Sequence, residues 1–162
     1  MLTRALLVFC SMLFLAPCLS HAQGPVPGVA ASAPVVQQYD AELAKSLGAN
    51  DNGMRSYVLV ILKTGPRKMA QGQARTDMFK GHFANIERLA NDKKLVVAGP
   101  LDGVDGRRGI FIFATADIDE ARRYVDADPV ISNGEMVAEY HKFFSSAALM
   151  MIGDIHKKIQ KK

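Results

Sequence analysis

Four segments of the chain have the apolar pattern of β-strands. Residues 55–63 and 109–114 are apolar at nearly every position, as expected for strands covered on both faces. Residues 95–98 form a shorter apolar run that ends at a Gly-Pro pair, and residues 135–144 follow a Ser-Asn-Gly turn. The pattern therefore predicts a sheet of four strands.

Two helices are predicted between these strands. Residues 77–92 repeat apolar side chains every three to four positions, with an inward stripe of Phe79, Phe83, Ile86 and Ala90. The second helix follows Asp117, which can cap it together with Glu120. It ends before Pro129, because a proline excludes helical backbone at the preceding residue. The order β-α-β-β-α-β predicts an α+β fold of ferredoxin-like type.

The strands are apolar on both alternations, although the predicted helices cover only one face of the sheet. The other face needs a cover, which the sheet of a second copy would supply. We therefore expect a homodimer.

Residues 1–22 contain the three parts of a secretory signal. Arg4 supplies the positive charge, Ala5 to Leu15 form the apolar run, and Ser20-His21-Ala22 is a small-x-small cleavage site. The apolar run is shorter than the about 20 residues that span a bilayer. We expect cleavage after Ala22 and a periplasmic or secreted protein, with an uncleaved anchor as the alternative.

Both cysteines of the chain, Cys10 and Cys18, lie inside this signal. Cys18 invites a lipoprotein interpretation, but Pro17 directly before it is a poor residue for the small position that such a site needs. Cleavage leaves a chain without cysteine, which excludes thiol catalysis and cysteine-ligated zinc.

Three further segments complete the predicted organisation. Residues 23–53 combine a flexible linker with a short helix whose stripe, Tyr39, Leu43 and Leu47, should pack on the main domain. The domain itself is predicted over residues 54–148. Residues 149–162 end in several lysines and are predicted to form a basic, solvated tail whose short apolar side docks on its own domain, and we expect no membrane contact for it.

Composition and motifs restrict the partners. The formal net charge is +4, and Phe111 and Phe113 lie on one side of a strongly apolar strand, which favours the core over a base-stacking platform. We expect no nucleic-acid partner. The sequence contains no phosphate-binding loop, dinucleotide fingerprint or specific metal motif, so no cofactor and no metal are expected.

His82 is the most informative polar residue. Helical spacing places it about 60° from Phe79, at the edge of the apolar stripe. There it can act as a general acid or base, since its reference pKa lies near 6.5, or it can be a core-edge histidine satisfied by a backbone carbonyl. Arg75 and Asn85 would lie near the same edge as pocket residues, although Asn85 also fits a helix surface.

Three other polar residues are candidates for the site. Asp128 either ends a helix or orients an imidazole, as the carboxylate does in catalytic triads. Glu139 and His141 share one side of the last strand and predict a pocket or a contact between subunits, with a solvated sheet edge as the alternative.

Taken in order, three segments of the chain resemble the YCII-related (YciI-like) family, specifically its exported branch. They are KGHFANIERLANDKKLVVAGPLD around His82, RGIFIF in a strand, and ARRYVDADPVISNGEMVAEY around Asp128, within about residues 54–148. The resemblance implies a dimeric α/β-barrel of ferredoxin-like domains and a catalytic dyad at His82 and Asp128. Some members carry an arginine where this chain has Phe79, so Arg75 or Arg108 would hold an anion instead.

The residues and the resemblance together indicate an exported small-molecule enzyme of lyase or isomerase type that needs no cofactor. His82 would move a proton, and Asp128 would hold its tautomer. A non-catalytic periplasmic module that binds a small molecule is the alternative, and a structural protein that assembles through its sheet face and lysine-rich end is a third.

Overall fold

The computed structural model describes residues 38–161, so the predicted signal peptide and the linker before Gln38 lie outside the described residues. The described part contains five α-helices and four strands, with 3₁₀ turns at Val104–Gly106 and Ala147–Met151. In chain order they are α1 Ala41–Ser46, β1 Met54–Thr64, α2 Gln73–Asn91, β2 Leu95–Pro100, β3 Arg107–Phe113, α3 Ile118–Asp126, α4 Pro129–Ser132, β4 Met136–Ser146 and α5 Ile152–Ile159.

The four strands form one antiparallel sheet in the order β2-β3-β1-β4. With α2 and α3 as the connections between strand pairs, this is the ferredoxin-like α+β fold that the apolar pattern predicts. Val60 of β1 lies between Phe111 of β3 and Tyr140 of β4, so these three side chains share one face of the sheet.

The hydrophobic core lies between that face and the helices. Its buried residues come from β1, α2, β3 and α3. They include Val58, Val60, Leu62, Leu89, Phe111, Phe113, Ala121 and Val125. Phe111 and Phe113 are thus core residues. Ala121 and Val125 of α3 are also buried in this core.

The other face of the sheet remains apolar. Because side chains alternate along a strand, Leu59 and Ile61 of β1 and Ile110 and Ile112 of β3 lie opposite the core. Leu59, Ile61 and Ile110 are only half-buried. This open sheet face, defined by these four residues, retains apolar surface that a partner could cover.

Helix α2 differs from its predicted form in both its start and its orientation. It begins at Gln73, four residues earlier than expected, and its buried residues are Met78, His82 and Leu89. The inward stripe predicted for this helix is therefore partly wrong: Phe83 is 63% exposed and Ala90 is exposed as well. The helix instead turns a histidine inward, because a buried carboxylate satisfies it there.

The prediction that the stripe of the short N-terminal helix packs on the domain is also wrong. Tyr39 and Leu43 are exposed, and α1 has no buried residue. The link to the domain is polar: Arg55 donates hydrogen bonds from Nη1 to the Leu47 carbonyl, at 2.8 Å, and from Nη2 to the Ala114 carbonyl, at 3.1 Å. These bonds connect the end of α1 with β1 and with the residue that follows β3.

The C-terminal segment is helical and contacts the domain. After β4 the chain makes the 3₁₀ turn and then α5, which packs against β2. Apolar residues remain exposed on α5, among them Ile155 and Ile159. Across residues 38–161, no helix combines the length and the apolar character needed to cross a membrane.

Candidate active site

Helices α2 and α4 bring His82 and Asp128 into contact. Nδ1 of His82 lies 3.0 Å from Oδ1 and 2.9 Å from Oδ2 of the Asp128 carboxylate. Both residues are buried, with exposed fractions of 7% and 0%. The pair is therefore shielded from bulk water. A polar contact in such a buried environment is stronger than the same contact at a surface.

The approach of α4 to α2 depends on a glycine directly before the histidine. A Cβ atom on Gly81 would lie 2.9 Å from Cγ of Pro129, so only a residue without a side chain lets the proline pack here. Pro129 is the first residue of α4, a position that tolerates proline because its N–H would have no partner inside the helix. Gly81 and Pro129 thus set the spacing that His82 and Asp128 need.

The Asp128 carboxylate has two further donors besides the imidazole. The backbone N–H of Val130 donates to Oδ1 at 3.1 Å, which makes Asp128 the N-cap of α4. The amide Nδ2 of Asn85 donates to Oδ2, also at 3.1 Å. Three donors therefore fix the orientation of the carboxylate. The sequence left open whether Asp128 ends a helix or orients an imidazole; in the structure it follows α3, caps α4 and contacts the imidazole.

The contact with Asp128 determines which nitrogen of the neutral imidazole carries the proton. A carboxylate only accepts, so Nδ1 must donate, and Nε2 is left with a lone pair. No residue of the described chain makes a hydrogen bond to Nε2. The rings of Phe79, Phe83 and Phe111 surround the imidazole, with centroids 6.2, 5.4 and 6.0 Å away. The arrangement is that of a positioned proton acceptor in apolar surroundings.

A second charge pair, between half-buried Arg75 and buried Glu135, lies on the same side of the domain. Nη2 of Arg75 donates to Oε1 of Glu135 at 2.5 Å, and the Met69 N–H donates to Oε2 at 2.7 Å. Glu135 is only 1% exposed. The Met69 N–H and the Arg75 guanidinium hold the pKa of the Glu135 carboxyl below its usual value, although burial acts in the opposite direction.

Arg75 lies in α2, which begins early enough to include it, and sequence reasoning missed its partner Glu135. The sequence pattern marked Glu135 only as the first residue of a predicted strand, where a glutamate side chain is ordinarily exposed. The Arg75 guanidinium also lies 4.8 Å from the centroid of the Phe79 ring. Arg75 is thus held by Glu135 and Phe79, and Phe79 in turn contacts His82. Arg108 is half-buried, and its charge makes a smaller contribution to the low pKa of Glu135 than Met69 and Arg75 do.

The structure does not bring Glu139 and His141 to His82. Both residues are exposed and alternate with core-facing Tyr140 on β4, so they lie with the open sheet face. Oε1 of Glu139 accepts a hydrogen bond from Nζ of Lys63 at 2.8 Å, and this bond lowers the pKa of the Glu139 carboxyl. The two groups are therefore separated from the His82 site by the sheet.

A cavity of about 730 Å³ lies between α2, β2 and α5. Phe83 lines this cavity and also packs against the imidazole, whereas His82 and Asp128 are not part of its wall. Among residues 38–161, no group of three or more His, Cys, Asp or Glu residues is arranged to hold a metal ion.

The fold and the site together define the class of protein: a ferredoxin-like α+β domain with a buried imidazole–carboxylate pair between two helices on one side of its sheet. The sequence profile of the YCII-related domain matches residues 54–143, more than half of the chain. The chain therefore belongs to the YCII-related family.

A search of curated proteins finds no match. Among solved structures, the chain is similar to 5-chloro-2-hydroxyhydroquinone dehydrochlorinase from Burkholderia phenoliruptrix, solved as a complex with 2,5-dihydroxybenzoquinone. The two share 24% sequence identity over 55% of this chain and 90% of that chain, with a TM-score of 0.37.

Proposed function

We propose that the chain is an exported small-molecule enzyme of lyase or isomerase type, with its catalytic domain within residues 54–148. His82 transfers the proton, and Asp128 holds the imidazole in the reactive tautomer. The observation that carries the proposal is the buried contact of 2.9 Å between Nδ1 of His82 and Asp128, which leaves Nε2 without a protein partner in the described chain. The family resemblance supports the same two residues.

The chemistry follows from the tautomer. Nε2 accepts a proton from a substrate carbon next to a carbonyl, and the electron pair of that C–H bond moves towards the carbonyl oxygen. The imidazolium then returns the proton to another carbon in an isomerisation, or to a departing group in an elimination. Asp128 stabilises the imidazolium without taking the proton. A single positioned acid or base of this kind contributes about 10²–10⁴-fold to the rate.

Solvent exchange tests this function before the substrate is known. Small cyclic ketones, lactones and hydroxyquinones are incubated with the protein in D₂O, and deuterium at the carbon beside the carbonyl is measured by NMR. The wild-type protein should exchange at least one of these compounds, and His82→Ala should not.

The proposed export is tested by a separate measurement. The intact mass of the protein from a periplasmic extract shows whether the chain starts at Gln23, as cleavage after Ala22 requires.

An equal exchange rate in wild-type protein and His82→Ala, both shown to be folded by circular dichroism, would contradict the assignment.

A non-catalytic binding module is the second candidate function. It is favoured by the cavity of about 730 Å³, whose wall does not include His82 or Asp128. Such a module would bind one of the compounds and return it without deuterium.

We also propose that a second copy of the chain covers the open sheet face. The half-buried side chains of Leu59, Ile61 and Ile110 would lose their remaining exposure there, which is favourable by about 25 cal/mol per Å² of apolar surface.

Ile61→Asp should therefore convert a dimer into a monomer in analytical ultracentrifugation, because it places a charge in the proposed contact. Ile110→Asp on the neighbouring strand should do the same. Ile159→Asp is the matched control, since Ile159 is 75% exposed on α5, and it should leave the mass unchanged. A monomeric wild-type protein, or a dimer in all three variants, would refute the proposed interface.

A further inference from the structure

We infer that the cavity between α2, β2 and α5 binds a small organic anion with an apolar body, and that α5 provides its preference for negative charge. The volume of about 730 Å³ lies in the range of small-molecule sites, which is about 300–1,000 Å³. Its wall includes α5, which lies beyond the matched residues 54–143. The inference does not depend on the proposed function of His82, because neither His82 nor Asp128 lines the cavity.

The apolar part of the ligand is indicated by the side chains along the cavity. Phe83 and Ile86 come from α2, Leu95 from β2 and Ile152 from α5. Phe83 and Ile152 are 63% and 39% exposed, although they are large apolar residues that face a concave surface. A ligand with an apolar body would remove this surface from water, which is the main favourable contribution to binding at such a site.

The side chains that α2 and α5 contribute to the cavity differ in charge, and this difference indicates the charge of the ligand. Helix α5 contributes His156 and Lys157, whereas α2 contributes the carboxylate of Glu87. Lys158, next in the sequence, adds to the positive potential of α5. A carboxylate or sulfonate would therefore be held at the α5 wall, where a cation can donate charge-assisted hydrogen bonds, and away from Glu87.

Two neighbouring lysines of α5 allow a matched test. Lys157 lines the cavity, and Lys158 is exposed and does not line it. Binding of 2-naphthoate and of its neutral analogue 2-naphthalenemethanol is measured by isothermal titration calorimetry. Lys157→Glu should weaken binding of the naphthoate about tenfold or more, since a hydrogen bond to a charged group is lost and a repulsion is added. Lys158→Glu should change it less than threefold, and the neutral alcohol should bind more weakly to the wild-type protein than the anion does.

A second variant tests the location independently of charge. A Cβ atom on Gly153 meets nothing within 4 Å, and this residue lines the cavity, so the ring of Gly153→Phe can occupy the space without a clash at its Cβ. It should abolish binding of both naphthyl compounds. His82→Ala should keep the affinity within twofold, so a failure of the proposed catalysis leaves this result intact.

Several outcomes would overturn the inference. Equal losses in Lys157→Glu and Lys158→Glu would show a diffuse attraction to the helix, and a tighter complex with 2-naphthylmethylammonium would place the selectivity at Glu87. Absence of saturable binding, together with a change of sedimentation in Gly153→Phe, would show that a second copy of the chain occupies the groove instead.

Discussion

Replacing Asp128 with alanine is expected to lower the free energy of unfolding by about 3–5 kcal/mol. The carboxylate is fully buried and accepts from Nδ1 of His82, from Asn85 and from the Val130 N–H. Its removal leaves these donors without their acceptor and takes the N-cap from α4. Urea unfolding followed by circular dichroism measures the loss. The matched control is Asp126→Ala, an exposed aspartate two residues earlier, which should change stability by about 0.5 kcal/mol or less.

The variant Asp128→Asn separates the structural role from the positioning role. An asparagine oxygen can still cap α4, so most of the stability should remain. If the amide nitrogen faces the imidazole, it donates where the carboxylate accepted, and this favours the tautomer with the proton on Nε2. Turnover should therefore fall by about 10²–10⁴-fold, as far as in His82→Ala. Full turnover in Asp128→Asn would show that the carboxylate serves the fold alone.

Replacing Glu135 with glutamine should also destabilise the fold by about 3–5 kcal/mol at neutral pH, because it leaves the half-buried guanidinium of Arg75 without its counter-charge. Glu139→Gln is the matched control. Glu139 also pairs with a cation, Lys63, but both groups are exposed, so the loss should be small. The double variant Arg75→Met with Glu135→Leu should recover much of the loss, since apolar residues of similar size often replace a buried ion pair without cost. Equal effects of the two single glutamine variants would contradict the buried pair.

The lowered pKa of Glu135 gives this pair a defined pH dependence. The folded state holds the carboxyl ionised to a lower pH than the unfolded chain, in which a glutamate titrates near pH 4.3. The stabilisation is therefore fully present above about pH 4.3 and is lost as the pH falls through the lower folded pKa, where the folded state also takes up the proton. Unfolding curves of Glu135→Gln should show a weaker dependence on pH in this acid range than those of the wild-type protein.

The sheet and its topology could be predicted from the sequence because strand burial leaves a local pattern. Residues 55–63 and 109–114 are apolar on both alternations, and they became the two central strands β1 and β3. The predicted strand limits differ from the observed ones by no more than two residues. Local period carries this information, since a side chain in a strand points to the same face as the side chain two residues away.

The orientation of α2 could not be predicted in the same way. Hydrophobic period assumes that apolar side chains face inward, but His82 is buried because Asp128, 46 residues later, satisfies it. Phe83 then faces a cavity and is largely exposed. Burial of Glu135 likewise depends on Arg75, which lies 60 residues earlier. Such pairs depend on tertiary contacts, and the hydrophobic periodicity of neighbouring residues gives no information about them.

The pairing of His82 with Asp128 was reached from the sequence through the family resemblance, and geometry now explains its parts. Gly81 allows α4 to approach, Pro129 starts that helix, and Asn85 fixes the second carboxylate oxygen. The C-terminal segment was expected to dock through its short apolar side while its lysines remain in solvent, and in the structure α5 contacts β2.

The proton position on His82 is the most direct measurement of the proposed role of Asp128. Nitrogen-15 NMR of the side chain distinguishes a protonated from an unprotonated ring nitrogen at a pH where the imidazole is neutral. The expected spectrum shows Nδ1 protonated and Nε2 unprotonated in the wild-type protein, with a shift towards protonated Nε2 in Asp128→Asn. A wild-type spectrum with the proton on Nε2 would contradict the proposed mechanism, because the nitrogen that must accept the substrate proton would already carry one.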